Sequence, residues 1–281
     1  MQLSRLRELY GGRRELQKAA LWNLWLAAKW GRSARAVDRV WAALGGRRLG
    51  NPGGGPPERP VNAYMAEHVE FLEAFDGVFA QEAEGGADRN SIEILRASWQ
   101  LQSWRLAAAR SLVEEVPRDS AVLEPLAGDG ALGYQLVEEG FAKYVGYGPD
   151  VELASRVVPG AGWHKALSAC DLRVSADVVL LVDKAAWFVD VVKELRCLGR
   201  ALKPGGLLLV AEPDPALAPA YAAALLLMGA LHVLPREQLY KFLRAAGFVQ
   251  MGRDVEAVPY VLSAWRKPAR PELSPSDRWM E

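Results

Sequence analysis

Residues Val122 to Gly133, which read VLEPLAGDGALG, constrain the fold more than any other stretch of the chain. The short apolar run reads as a buried strand. It ends in an acidic residue, Glu124, followed by a turn carrying Gly128 and Gly130, and then a helix-like segment from about Gly133 to Glu139. Strand, glycine turn and helix is how a βαβ unit presents bare backbone N–H groups to a ligand. Glu124 is placed to accept hydrogen bonds from a ligand amine or hydroxyl. Alone, the pattern also describes a plain structural turn, so the flanking sequence has to decide.

From Ala121 onward strands and helices alternate. Strands are expected near 121–124, 144–148, 162–165, 177–183, 206–212, 248–255 and 260–266. Helices fall between them, near 133–139, 151–157, 186–202, 220–230 and 235–246. Alternation at this spacing implies an α/β fold with a mostly parallel sheet and helices on both faces. The last two strands are joined by a short turn and so must run antiparallel.

Residues 1–116 read as helical instead. From Leu3 to about Leu44 apolar residues recur at helical spacing, with interruptions expected at Gly11-Gly12 and Gly31. Residues 1–48 hold eleven Lys/Arg against three Asp/Glu, and Trp22, Trp25, Trp30 and Trp41 are interleaved with them. One reading is a surface for nucleic acid or anionic lipid. The preferred one is a helical cover whose Trp side chains pack inward, because residues 62–88 hold seven Asp/Glu and no Lys/Arg to balance it. A Gly/Pro-rich linker occupies about 45–61. A helix follows at 64–79, with Met65, Val69, Leu72, Phe75 and Phe79 on one stripe. A second runs from Ser91, capped by Asn90 with Glu93, to about Glu115. Residues 117–268 form the α/β unit, and 269–281 read as a flexible tail.

Composition narrows the function classes. With 51% apolar and 24% charged residues the chain can bury a sizeable core, and its formal net charge of zero gives no bulk pull toward nucleic acid or membrane. Cys170 and Cys197 lie far apart in no metal-like spacing, which argues for a reducing compartment and against a disulfide or zinc site. The charged N-terminus carries no leader-like apolar core, so a cytoplasmic protein is expected. The most apolar window, 216–234, is interrupted by Pro219 and closed by Pro235, too short and broken for a membrane span.

Three features together resemble the class I S-adenosylmethionine-dependent methyltransferases: the Glu124-x-x-x-Gly128-x-Gly130 turn, the Lys203-Pro204-Gly205-Gly206 turn before a strand, and Ala245-Ala246-Gly247-Phe248 before a closing hairpin. The resemblance spans about Asp119 to Pro268. It implies a doubly wound, Rossmann-like seven-stranded sheet in the order 3-2-1-4-5-7-6 with the seventh strand antiparallel. Ligand would sit outside the C-terminal strand ends, where the strand order reverses. The implied cofactor is S-adenosylmethionine, bound by Glu124 and the loop through Leu126, Gly128 and Gly130. Tyr147, Gly148 or Asp150 would meet it at the second strand's end, Lys165 and Ala166 after the third, and Asp183 after the fourth. The chain departs from the family in three places: Leu126 replaces the first glycine, Gly148 stands where a ribose-binding acid is usual, and Lys165 where an acid often faces the adenine.

Asp183 and Glu212, at the ends of the fourth and fifth strands, are the catalytic candidates, with Asp214 beside them. Their roles divide between substrate recognition or general base and simple capping of the following turns. A Mg²⁺ site like that of catechol-type O-methyltransferases would need an asparagine where Pro213 stands, so no metal is assigned. The Pro-Pro-aromatic turn of nucleic-acid amino-methylating enzymes is missing after Asp183. The apolar segment 220–231 has three readings: burial under the N-terminal helices, which is preferred, a wall of the acceptor pocket, or a homodimer face. The expected function is methyl transfer to a small-molecule acceptor enclosed by the N-terminal helices. The alternatives are a binding or scaffold subunit with a decayed cofactor site, and an RNA methyltransferase using the basic arm.

Overall fold

The computed structural model describes residues 4–31, 35–46, 54–83, 86 and 88–269. Most of the Gly/Pro linker, at 47–53, and the tail from 270 lie outside the described residues. Seven strands form one sheet: β1 (Ala121–Pro125), β2 (Lys143–Gly148), β3 (Gly162–Lys165), β4 (Ala176–Val182), β5 (Leu202–Pro213), β6 (Val249–Ala257) and β7 (Tyr260–Arg266). Their order is β3-β2-β1-β4-β5-β7-β6. β1 to β5 pair in parallel, and β7 is antiparallel to both β5 and β6. This is the doubly wound Rossmann-like sheet that the sequence implied.

β4 reads as a continuous apolar run because both its faces are covered. Leu180 and Val182 point into a core shared with the N-terminal helices, while Val179 and Leu181 point into the opposite core. The second core is covered by α10 (Val191–Ala201) and α12 (Arg236–Ala245). The first is covered by α8 (Ala131–Glu138), α11 (Pro219–Leu227) and the N-terminal helices, with α9 (Glu152–Val157) beside α8. Those N-terminal helices are α1 (Arg5–Leu9), α2 (Gly12–Trp30), α3 (Arg35–Ala43), α4 (Ala63–Glu73), α5 (Asp76–Ala83), α6 (Arg89–Gln100) and α7 (Ser103–Val113).

The long helices expected at 64–79 and 91–115 are each broken in two, at 74–75 and at 101–102. The second break has a tertiary cause. Glu67 of α4 accepts a hydrogen bond from the Ser103 N–H at 3.0 Å and so caps α7 from outside. At the start of α6 the cap is Asp88, whose carboxylate accepts from the Asn90 and Ser91 N–H groups, rather than Asn90. Some cations of the basic arm are paired within the chain, one of them with the acidic segment. Lys29 pairs with Asp76 at 2.5 Å, and Lys18 with Glu15 and Glu58 at 3.0 and 2.7 Å.

α11 is buried from Pro219 to Leu226 against this chain's own helices, the burial the sequence reading preferred, while Leu231 beyond its end is exposed. One expectation is corrected. Cys170 and Cys197 are joined as a disulfide, with Cα atoms 4.8 Å apart. Glu194 of α10 brings them together by accepting from the Ala169 N–H at 2.6 Å and the Ser168 hydroxyl at 2.5 Å, a long-range contact that cysteine spacing does not announce. The cysteine count therefore says nothing for a reducing compartment. No described helix is long and apolar enough to cross a membrane.

Candidate functional site

Glu124 is 1% exposed at the C-terminal end of β1. Its Oε2 accepts from the Tyr144 hydroxyl, and its Oε1 is buried with no partner. Tyr144 reaches it because Gly133, on the facing turn of α8, has no side chain. A Cβ there would stand 2.7 Å from the Tyr144 ring. Burial raises the pKa of Glu124, against the opposing pull of Lys184, Arg105 and the Tyr144 hydroxyl.

The turn after β1 keeps a left-handed backbone at 126, 128 and 130, with φ of 49°, 66° and 86°. Leu126 therefore adopts a conformation that glycine takes freely, at a cost of roughly 1–2 kcal/mol for an L side chain. The fold holds that turn even without the first glycine. Asp129 steadies the start of α8 by accepting from the Ala131 N–H at 3.0 Å. α6 covers the turn: the Gln100 amide nitrogen lies 3.0 Å from where a Cβ on Gly128 would be.

Behind the turn lies a group of buried charges at the ends of β4 and β5. Asp183 is fully buried, with a left-handed φ of 58°. It accepts from the hydroxyls of Tyr221 (3.0 Å) and Tyr260 (2.5 Å) and pairs with the Arg105 Nε at 3.3 Å. Burial still lifts its pKa to about 6. Glu212 accepts from the Lys184 and Ala185 N–H groups at 2.7 and 3.0 Å, and burial together with the charge of Asp183 pushes it up to about 8. Lys184 is 3% exposed, and its ammonium lies 4.9 Å from the centre of the Trp99 ring. Burial and the neighbouring Arg105 bring its pKa down to about 8.

The expected site residues divide accordingly. Glu124, Leu126, Gly128 and Gly130 stand together at the turn. Gly148 and Ala166 sit beside them, joined by a 3.0 Å hydrogen bond from the Ala166 N–H to the Gly148 carbonyl, with Lys165 exposed at the edge. Tyr147 faces away. Strand alternation puts it on the opposite face from Tyr144 and Gly148, where it donates to Glu194 at 2.5 Å. Asp150 is exposed, and its carboxylate accepts from the Glu152 N–H at 3.3 Å rather than from a group at Gly148. Asp183 and Glu212 are adjacent to the site, but both oxygens of Asp183 and Oε1 of Glu212 are held by protein donors. Trp163 packs on Gly146 and on the Tyr144 ring, as a core residue would. A separate cleft of about 830 Å³ between α1, α7 and α8 includes none of Glu124, Gly128 or Lys184.

Sequence reasoning missed Gln100, Arg105, Tyr144 and Lys184. Arg105 and Lys184 carried one available signal: single cations within otherwise apolar runs that the fold buries. Tyr144 was readable only through its pairing with Gly133.

The residues present fit S-adenosylmethionine at two places. The partnerless Glu124 oxygen lies beside cations, and the left-handed turn is kept. They supply no carboxylate at the end of β2 for the ribose. Residues 100–251 match a family described as a methyltransferase domain. No curated protein matches the chain in sequence. Among solved structures it is similar to a chain from the complex of a Haloferax volcanii methyltransferase activator with its methyltransferase, at 15% identity and TM-score 0.52, covering 71% of this chain and 98% of that one. It is also similar to the cyclase SpnF, at 18% identity and TM-score 0.50, covering 60% of this chain and 83% of that one. At these identities the likeness is one of fold. The family match spans more than half of the sequence, and the chain belongs to the class I S-adenosylmethionine-dependent methyltransferase family, with S-adenosylmethionine as its cofactor.

Proposed function

We propose that the protein transfers a methyl group from S-adenosylmethionine to a small-molecule acceptor held between the glycine turn and α6–α7. The observation that carries this reading is the buried, partnerless Oε1 of Glu124 beside the left-handed turn. An orphaned acceptor at that depth costs about 1–3 kcal/mol, which a donor on a ligand would offset. The chemistry that S-adenosylmethionine supplies when bound is an activated methyl group on a sulfonium.

The chain's own residues align and enclose. Glu124 accepts from the ligand, and the backbone from Leu126 to Gly130 lies against it. Gly148 and Ala166 border the nucleoside side, while Gln100 and Trp99 of α6 shut out water. In-line placement supplies most of the rate in such a transfer. Asp183 and Glu212 are given positioning roles: Asp183 fixes Arg105, and Glu212 fixes the backbone at Lys184 and Ala185. The cover over Gly128 favours a small acceptor, and the internal pairing of some basic-arm cations speaks against RNA.

A second reading, a binding subunit with a decayed cofactor site, is favoured by one observation. Gly148 stands where a ribose-binding acid is usual, and the carboxylate of Asp150 accepts from the Glu152 N–H instead. Methyl-labelled S-adenosylmethionine incubated with a panel of small amines, thiols and phenols, and separately with RNA, separates the readings. Label in a small molecule is the expected result. Label only in RNA, or in nothing although the cofactor binds, would overturn the proposal.

A further inference from the structure

The cover over the glycine turn hangs on one buried side chain. α6 brings the Gln100 amide nitrogen against Gly128. Yet Trp99 is the only α6 residue that is buried; Ile92 and Leu95 are partly covered, and Ile94, Arg96 and Ala97 are exposed. The Trp99 indole N–H donates to the Tyr221 hydroxyl of α11 at 2.8 Å. Among the described residues this is the one buried side-chain hydrogen bond from α6 to another element. The Trp99 ring also stacks on Trp187, with centroids 5.9 Å apart. α7 is fixed independently: it is buried along most of its length, and Glu67 caps it at Ser103. The break at 101–102 therefore separates a firmly packed helix from a lightly held one.

A hydroxyl donates one hydrogen bond while accepting others, and Tyr221 does both. It accepts from Trp99 and donates to Asp183 at 3.0 Å. Asp183 also pairs with Arg105, whose guanidinium reaches the Gln100 carbonyl at 3.4 Å. The carboxylate after β4 thus stands behind both ties to the end of α6. An element with so little buried surface opens locally at a lower free energy than the body it covers. We propose that Tyr221 is a positioning residue: through Trp99 it latches α6 over the glycine turn and so sets how fast the cofactor leaves. The proposal rests on the reading of the crevice over Gly128 as the cofactor site. Tyr221 touches no ligand; it acts by holding the helix that does the enclosing.

Amide hydrogen exchange and the release of labelled S-adenosylhomocysteine test it on the full chain, in the wild type, Tyr221→Phe, Trp99→Phe and the double variant. Tyr221→Phe removes the hydroxyl. Trp99→Phe removes the indole N–H and leaves the Tyr221 bond to Asp183 in place, so it tests the latch even if Tyr221→Phe does not fold. Each single variant is expected to speed exchange in α6 about tenfold, the factor for one lost hydrogen bond, with β4 and β5 unchanged. Release of S-adenosylhomocysteine into excess unlabelled ligand is expected to quicken by a similar factor. The double variant is expected to match the single ones, because both changes cut the same link. Exchange quickened evenly across the chain would make Tyr221 a structural residue and overturn the proposal. Additive effects in the double variant, no change in α6, or unchanged release from a loosened α6 would overturn it too. A folded wild-type chain that binds no S-adenosylhomocysteine would overturn the cofactor-site reading, and exchange in α6 would still decide whether Tyr221 holds the helix.

Discussion

Glu212 and Asp183 are buried carboxyls whose protonation ties stability to pH. The carboxyl of Glu212 is raised from 4.5 to about 8 and that of Asp183 from 3.8 to about 6. Between those values the folded chain holds protons that the unfolded chain has released, so stability falls as pH rises from about 5 to 8. The slope is at most about 1.4 kcal/mol per pH unit for each group. Lys184 acts in the opposite sense. Its pKa is lowered from 10.5 to about 8, so the unfolded chain binds the extra proton in that range and stability recovers above pH 8. Glu212→Gln keeps an oxygen for the two backbone donors and removes the buried charge. Its urea midpoint is expected to vary less from pH 5 to 8 than the wild type's; parallel profiles would show that another group sets the slope. Gly148 offers a converse test. A Cβ there would come no closer than 3.7 Å to any neighbour, so the first carbon of a side chain is accommodated. If the nucleoside lies where proposed, Gly148→Asp gains a charged partner for the ribose and tightens S-adenosylhomocysteine by about tenfold or more. Unchanged affinity in calorimetry would place the ribose elsewhere. At this scale the sequence was readable where local rules decide. Period-two alternation already put Tyr147 and Gly148 on opposite faces, and weighing that rule would have removed Tyr147 from the site. It was unreadable where the partner is distant, as with Arg105 and Asp183.

The turn between β1 and α8 works because neighbouring elements fit it closely. Gly133 is a helical glycine whose replacement by alanine would ordinarily stabilise the helix by up to about 1 kcal/mol. Here the added Cβ meets the Tyr144 ring at 2.7 Å, and overpacking of that kind costs about 1–3 kcal/mol. Gly133→Ala is therefore expected to lower the unfolding temperature and to move Tyr144 off Glu124. Gly77 in α5 has nothing within 4 Å of its Cβ position, and Gly77→Ala is expected to be neutral or slightly stabilising. If both variants shift the same way in thermal unfolding, helix propensity rather than the Tyr144 contact governs. β3 and β7, bounded by Gly162 and by Pro259, were found from the sequence to the residue, whereas β5 starts at Leu202, four residues before the expected 206, and takes in the Lys203–Gly206 segment read as a turn. The break between α6 and α7 carries neither Gly nor Pro; Glu67, reaching across from α4, creates it.

Across the whole molecule, the mostly parallel sheet with helices on both faces followed from alternation and turn chemistry, because each parallel crossover needs a helix and each turn a marker; the strand order followed only from the family resemblance. The disulfide followed from neither, since 27 residues separate its cysteines and only tertiary packing through Glu194 aligns them. Replacing both with serine is expected to reduce the free energy of unfolding by up to about 3.5 kcal/mol on a chain-entropy account. Because Glu194 still holds the turn at 168–169, S-adenosylhomocysteine affinity should be retained. A urea titration beside a ligand titration reads both, and loss of binding would tie the disulfide to the site. The account's central claim is that Glu124 and the glycine turn form the cofactor site, and calorimetric titration of the full chain with S-adenosylhomocysteine tests it most directly. The prediction is saturable one-to-one binding in the micromolar range, lost in a folded Glu124→Ala variant. The contradicting result is a folded wild-type chain that gives no binding heat at high-micromolar ligand, or a Glu124→Ala variant that binds as the wild type does.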